Sequence, residues 1–273
     1  MIAKIRHVAT HTEHYDKECT FYKTIFGMKQ ITTGLVDENG KSNPDRGHIS
    51  DGVIGLALLA KRAGSQSGID HFGFEVDDVG EVVDRLNRLY PELLHTRALT
   101  YVPFAGTRAQ DPTGTQFDLS QKGQANVREG YLSDGWEQPR WINHIALRAR
   151  KPEEVAEFYT KVLELKGVEE AGEEGSITLT DGKVRLIIRR CHDGYYRSLR
   201  QGFDHIGFKV ESVEKTKDDL EKIAAAHPEC APKKVGGGPQ SGGLVKDLET
   251  CPIGKHHFAD PDGILLDISD DRR

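Results

Sequence analysis

Long apolar runs are missing from this chain. No stretch approaches the ~20 residues that a membrane-spanning helix needs. The opening MIAKIRHVATHTEHYD lacks the apolar centre that a secretory signal carries. Cysteine is scarce: Cys19, Cys191, Cys230 and Cys251 are scattered over 273 residues with no C-x-x-C pair. That spacing excludes a disulfide scaffold and points to a reducing, cytoplasmic setting. A basic excess is missing too. Lys and Arg number 37 against 43 Asp and Glu, a net charge of −6, which argues against nucleic-acid backbones as partners. The glycine-rich KKVGGGPQSGGL at 233–244 has no G-K-[ST] ending, so it is no phosphate-binding loop and reads as a flexible connection. What remains is a globular composition, 37% hydrophobic and 29% charged. At roughly 100–200 residues per domain the length suits one large domain or two small ones.

The chain repeats itself. Residues 5–29 align with 142–166 at a constant offset of 137, so that His7 meets His144 and Phe21-Tyr22 meets Phe158-Tyr159. GIDHFGFEVDDVGEVVDRL at 68–86 matches GFDHIGFKVESVEKTKDDL at 202–220, and DPTGTQFDLS at 111–120 matches DPDGILLDIS at 260–269. Three collinear blocks make an internal duplication. It predicts a first module over 1–122, a polar, turn-rich linker over 123–140 and a second module over 141–273. The fold class expected is α+β, with a β-α-β-β-β unit occurring four times. The clearest helix follows His71. Asp78 caps it, Val79, Val82, Val83, Leu86 and Tyr90 recur at helical spacing, and Pro91 stops it. After His144, Pro152 suits a first helical turn, and Val155, Phe158, Tyr159 and Val162 form one stripe.

Strand alternation sorts the polar residues. Over 69–76 one face carries Asp70, Phe72, Phe74 and Val76, and the other His71, Gly73 and Glu75. His205 and Gly207 repeat the second pattern. The two glycines are expected to leave open space beside each imidazole. Asp118 and Asp267 occupy the polar faces of the last strands, and an unpaired carboxylate between apolar neighbours is costly. Two imidazoles and a carboxylate are ligands for a divalent first-row metal with vacant positions. Asp111 and Asp260, in D-P-x-G, read as turn formers.

At these residues the sequence resembles the vicinal oxygen chelate superfamily, which holds glyoxalase I, extradiol ring-cleaving dioxygenases and bleomycin-resistance proteins. The resemblance rests on H-x-A near the start of each half, the F-Y of the first helix, G-x-D-H and the terminal D-P-x-G-x-x-x-D. It implies tandem modules in which paired β-α-β-β-β units form an open, barrel-like sheet backed by helices. It also implies metal ligands His7, His71 and Asp118 in one module and His144, His205 and Asp267 in the other. The four-unit length looks most like the two-module extradiol dioxygenases, with Fe(II) or Mn(II) as the metal and Zn(II) or Ni(II) as alternatives. Departures are visible. The acid is Asp where such enzymes carry Glu, His257 stands where they carry Tyr, and Arg108 holds the matching place in the first half. His192 and Tyr196, in CHDGYYRSL, are the nearest candidates for a further acid-base group beside His257. The resemblance thus implies a metal-dependent dioxygenase acting on a small aromatic or vicinal-oxygen molecule, with the second module favoured for chemistry. The alternatives are a glyoxalase-type isomerase, epimerase or lyase, and a metal-free binding protein. No organic cofactor, nucleic acid or membrane is expected as partner, and homo-oligomerisation stays open.

Overall fold

A computed structural model describes residues 3–31, 48–61, 67–96, 104, 106–124, 135–169, 175–191, 201–233 and 256–271. Two open seven-stranded sheets carry the molecule. The first half runs β1 (Lys4–Thr12), α1 (Tyr15–Phe26), β2 (Lys29–Gln30), β3 (His48–Ser50), β4 (Gly55–Ala60), β5 (Gly68–Val76), α2 (Val79–Leu89), β6 (Thr107–Gln110) and β7 (Gln116–Gln121). The second runs β8 (Trp141–Ala149), α3 (Pro152–Leu163), β9 (Lys166–Gly167), β10 (Ile177–Thr180), β11 (Arg185–Arg190), β12 (Gly202–Lys209), α4 (Val213–Ala226), β13 (His256–Ala259) and β14 (Leu265–Ser269). The strand orders are β2-β3-β4-β1-β5-β7-β6 and β13-β14-β12-β8-β11-β10-β9, the same order read from opposite ends. Among the described residues no helix is long and apolar enough to cross a membrane.

The fourfold β-α-β-β-β expectation holds for the units opened by β1 and β8. Among the described residues, the units opened by β5 and β12 have two strands after the helix, with a single bridge besides, His95 to Ala109 and Lys233 to Ala259. The expected helices form for the expected reasons. The Asp78 side chain accepts from the Glu81 amide, and Val82 and Leu86 are buried beneath α2. Pro152 sits in the first turn of α3, and Val155, Phe158, Tyr159 and Val162 are all buried. Each such side chain contributes about 1.5–3 kcal/mol by leaving water.

The helices lie at a seam where the halves exchange contacts. Helix α1 packs against α4 and α2 against α3, and one apolar core draws from both halves. Phe26 stacks on Phe208 at 3.7 Å, while Tyr159 meets Phe72 and Phe74 at 6.0 Å each. The Tyr22 hydroxyl donates to Asp260 Oδ2 at 2.8 Å, and the Tyr159 hydroxyl donates to Asp111 Oδ2 at 2.9 Å. Each of these aspartates uses Oδ1 to close its own turn, Asp111 from Thr113 and Thr115 amides, Asp260 from Gly263 and Ile264 amides. The turn-forming role expected of them is therefore half of their role. A second reciprocal pair works alike: Asp51 Oδ2 accepts the Ile142 amide at 2.8 Å and Asp181 Oδ2 accepts the Ile5 amide at 2.7 Å.

Candidate metal centre

Each of the four histidines that open the paired strands is preceded by a bulged residue. In the β1–β5 and β8–β12 ladders the register slips at Arg6, Asp70, Asn143 and Asp204. A bulge adds one residue and turns its side chain toward the face of its neighbour. Asp70 was expected beside Phe72 on the apolar face. Instead its Oδ2 lies 2.6 Å from His71 Nδ1. Asn143 Oδ1 lies 2.9 Å from His144 Nδ1, and Asp204 Oδ2 lies 3.5 Å from His205 Nδ1. Three of the four bulges thus supply the group behind an imidazole. The repeated D-H dipeptide was the signal for two of them, but its meaning depends on the slip.

In the second half this arrangement brings His144, His205 and Asp267 together. Their ligand atoms lie within 4.8 Å of one another, and the three residues are 1%, 0% and 0% exposed. His144 pairs with Gly207 across β8–β12, and Gly207 pairs with Asp267 across β12–β14. The space expected beside Gly207 is filled by the His144 ring itself. A Cβ at 207 would fall 1.8 Å from His144 Cε1, so only glycine admits the ring. His144 Nε2 lies 2.9 Å from His205 Nε2 and 3.8 Å from Asp267 Oδ2. A proton on each Nδ1, toward Asn143 and Asp204, leaves both Nε2 lone pairs facing one point, an arrangement that fits a shared cation. Burial, then the neighbouring His205, holds His144 well below the usual imidazole range, so it is neutral and ligand-competent. Burial pushes the Asp204 carboxyl up, but His205, Arg148 and Arg189 outweigh it and keep it ionised. Arg148 and Arg189 bind its two oxygens at 2.5 and 2.8 Å.

His257 stands on β13 opposite Asp267 in register. Its Nε2 lies 3.5 Å from Asp267 Oδ1, and its ring meets His205 edge-on at 5.6 Å. Burial lowers its pKa. His192 and Tyr196 lie outside the described residues.

The first half brings His7, His71 and Asp118 equally close, but with an arginine among them. His7 Nε2 is 3.3 Å from His71 Nε2, and His71 Nε2 is 3.1 Å from Asp118 Oδ2. Arg108 enters the same space. Its Nε donates to Asp118 Oδ1 at 2.7 Å and its Nη2 to Oδ2 at 3.1 Å, with Nη2 also 3.1 Å from His71 Nε2. The anion that Arg108 meets is Asp118. The room expected beside Gly73 is taken by Phe104, whose Cε1 would be 2.4 Å from a Cβ there. Phe104 stacks on His7 at 4.8 Å. Burial raises the Asp118 carboxyl, but His71 and Arg108 together hold it below the usual carboxylate range. The His71 imidazole and the Arg108 guanidinium thus both compensate the Asp118 charge.

Comparison with known proteins agrees with the duplication. The model of the Glyoxalase/Bleomycin resistance protein/Dioxygenase superfamily matches residues 4–119 and again 141–268. No curated protein sequence matches the chain. Among solved structures, the Mn(II)-bound glyoxalase from Novosphingobium aromaticivorans is similar with a TM-score of 0.62 at 16% identity, covering 98% of this chain and 81% of that one. The 2,3-dioxygenase LapB from Pseudomonas sp. KL28 gives 0.59 at 17% identity, covering 98% and 91%. Homoprotocatechuate 2,3-dioxygenase from Brevibacterium fuscum gives 0.58 at 16% identity, covering 98% and 80%. At such identities the likeness speaks for the fold, and the two family matches, one to each half, say the rest: this chain belongs to the Glyoxalase/Bleomycin resistance protein/Dioxygenase superfamily.

Proposed function

We propose that the second half holds one divalent metal through His144, His205 and Asp267, and that the chain is a ring-cleaving, extradiol-type dioxygenase for a small aromatic bearing vicinal oxygens. The observation that carries this reading is the pair of Nε2 atoms 2.9 Å apart beside a fully buried carboxylate, each imidazole backed at Nδ1. Fe(II) or Mn(II) suits two imidazoles and one carboxylate. Such an ion, when bound, supplies Lewis acidity and vacant positions for two substrate oxygens.

The chain's own residues do the rest. Asn143 and Asp204 orient the two imidazoles. His257, neutral because it is buried, is placed beside Asp267 to take a proton from a substrate hydroxyl at Nε2. The first half keeps its histidines and aspartate as an internal ion cluster around Arg108, so one metal per chain is the expected stoichiometry.

A glyoxalase-type isomerase or lyase would use the same ligands, and the glyoxalase likeness favours keeping it as the second reading. Reconstitution with Fe(II) or Mn(II) without air, followed by metal analysis and oxygen uptake on a panel of catechols, separates the two. The dioxygenase reading expects about one metal per chain, oxygen consumption with a ring-cleavage chromophore, and loss of both metal and turnover in His205→Ala. His257→Phe is expected to keep the metal and slow turnover by roughly 10²–10⁴-fold. Metal without oxygen uptake on any catechol would overturn the dioxygenase assignment, and wild-type protein that retains no metal would overturn the centre itself.

A further inference from the structure

A cleft of about 640 Å³ opens on the second sheet, and none of His144, His205 and Asp267 is among the residues described as lining it. Trp136, Trp141, Asn143, Lys183, Arg185 and Lys209 line it. The triad converges on His144 Nε2, whereas the cleft is reached through Asn143, whose Oδ1 holds Nδ1. The cleft is therefore a place of its own, one hydrogen bond behind a triad histidine.

Its chemistry is uneven. Trp136 and Trp141 lie nearly parallel, with centroids 5.1 Å apart and planes 23° apart, so one more planar ring would extend the stack. Lys183 Nζ sits 5.9 Å from the Trp136 centroid. Lys183, Arg185 and Lys209 bring three cations, and no carboxylate side chain is among the residues described as lining the cleft. The nearby Asp181 commits its oxygens to the Lys183, Val184 and Ile5 amides.

The duplication supplies an internal control. Register places Lys4 where the second half has Trp141, Glu75 where it has Lys209, and Gly55 where it has Arg185. There Glu75 lies 3.9 Å from both Lys4 and Arg6, and the charges answer one another. The same position in the second half has exchanged that acid for a base and gained an arginine and an indole.

We propose that this cleft is a binding site for a planar aromatic ring carrying a carboxylate or a phosphate. The ring stacks on the tryptophans, and the acid group is held by Lys183 and Lys209.

The test uses a property of the composition. The chain has two tryptophans and both line the cleft, so intrinsic fluorescence reports this place. Full-length, metal-free protein is titrated with 4-nitrobenzoate, with 4-nitrophenyl phosphate and with neutral 4-nitrobenzamide. Saturable quenching is expected from at least one anion, and the tighter of the two identifies the acid group. The amide should bind at least about tenfold more weakly, the effect of roughly 1.4 kcal/mol of lost charge contacts. Lys183→Gln combined with Lys209→Gln should weaken the anion by a similar factor. Should that variant fold poorly, raising salt on the wild type from about 0.05 to about 0.5 M should weaken the anion and spare the amide. Linear, unsaturable quenching by both anions, or equal affinity for anion and amide, would overturn the proposal. Because the protein is metal-free, neither result bears on the metal centre.

Discussion

The guanidinium of Arg108 grips Asp118 as a fork, at 2.7 and 3.1 Å, in the register position where His257 meets Asp267 in the other half. One substitution between repeats thus places a guanidinium against the carboxylate in one half and an imidazole against it in the other.

That contrast is reversible on paper and testable at the bench. Replacing Arg108→His together with Phe104→Ala gives the first half the groups of the second and clears the space beside Gly73. The double variant is expected to raise bound metal from about one to about two per chain. Metal analysis after anaerobic loading reads the outcome. An unchanged ratio would mean that more than these two residues closes the first centre.

Asp204 holds His205 from behind while two arginines hold Asp204. Outer partners of ligand histidines typically carry 10–100-fold in affinity, so Asp204→Asn should weaken metal binding by about that factor. Asp70→Asn, the same change in the first half, should leave metal affinity untouched. Competition against a chelator of known affinity measures both, and equal effects from the two variants would contradict the choice of the second half.

The phenols at the seam can be tested by stability. Burial raises the pKa of Tyr22 and of Tyr159, with Asp260 and Asp111 adding to it, so each stays protonated as a donor. Tyr22→Phe or Tyr159→Phe leaves a buried carboxylate oxygen short of one donor, at about 1–3 kcal/mol each. Urea unfolding should remain a single transition in both, because each bond joins the two halves. A variant that unfolds in two steps would show that the halves are independent.

Glu18 is buried on α1, while its counterpart in the second half is Val155. Burial, then the neighbouring Asp260, raises its pKa. The sign follows from linkage. The folded state keeps a proton that the unfolded state releases above about pH 4.3, so stability falls as pH climbs toward the raised folded value. Glu18→Val should therefore stabilise the protein by about 1–4 kcal/mol at pH 8, as replacing a buried ionisable group with a packed apolar one does. The gain should shrink at pH 5. Unfolding free energies at both pH values decide it, and a gain that did not depend on pH would sink the assignment.

Much of this architecture can be read before any coordinates. Matching offsets exposed the duplication, and strand alternation put His71, His205, Asp118 and Asp267 on inward faces because the period of two survives along most of each strand. Alternation failed at Asp70, where a bulge depends on how β5 lies against β1 and leaves no local mark. Phe104 was invisible for a related reason, since it reaches Gly73 from a stretch without periodicity. The F-Y of the helices was plainly repeated, but repetition cannot tell that each tyrosine would find its aspartate in the opposite half. Arg108 was recognisable as the counterpart of His257, while its target became evident only when β6 paired with β7.

The crossed tyrosines carry one more consequence. Each half bears both a donor and the socket for its counterpart's donor, which is the self-complementary seam of a twofold dimer. Joining two such halves in one chain turns an encounter between molecules into a permanent neighbourhood, with an effective concentration that short tethers place in the millimolar range. Two copies held that way no longer need to be identical. One fills the space beside its histidines with an arginine and a phenylalanine, the other does not, and the asymmetry between Asp118 and Asp267 shows how far two tethered copies can part.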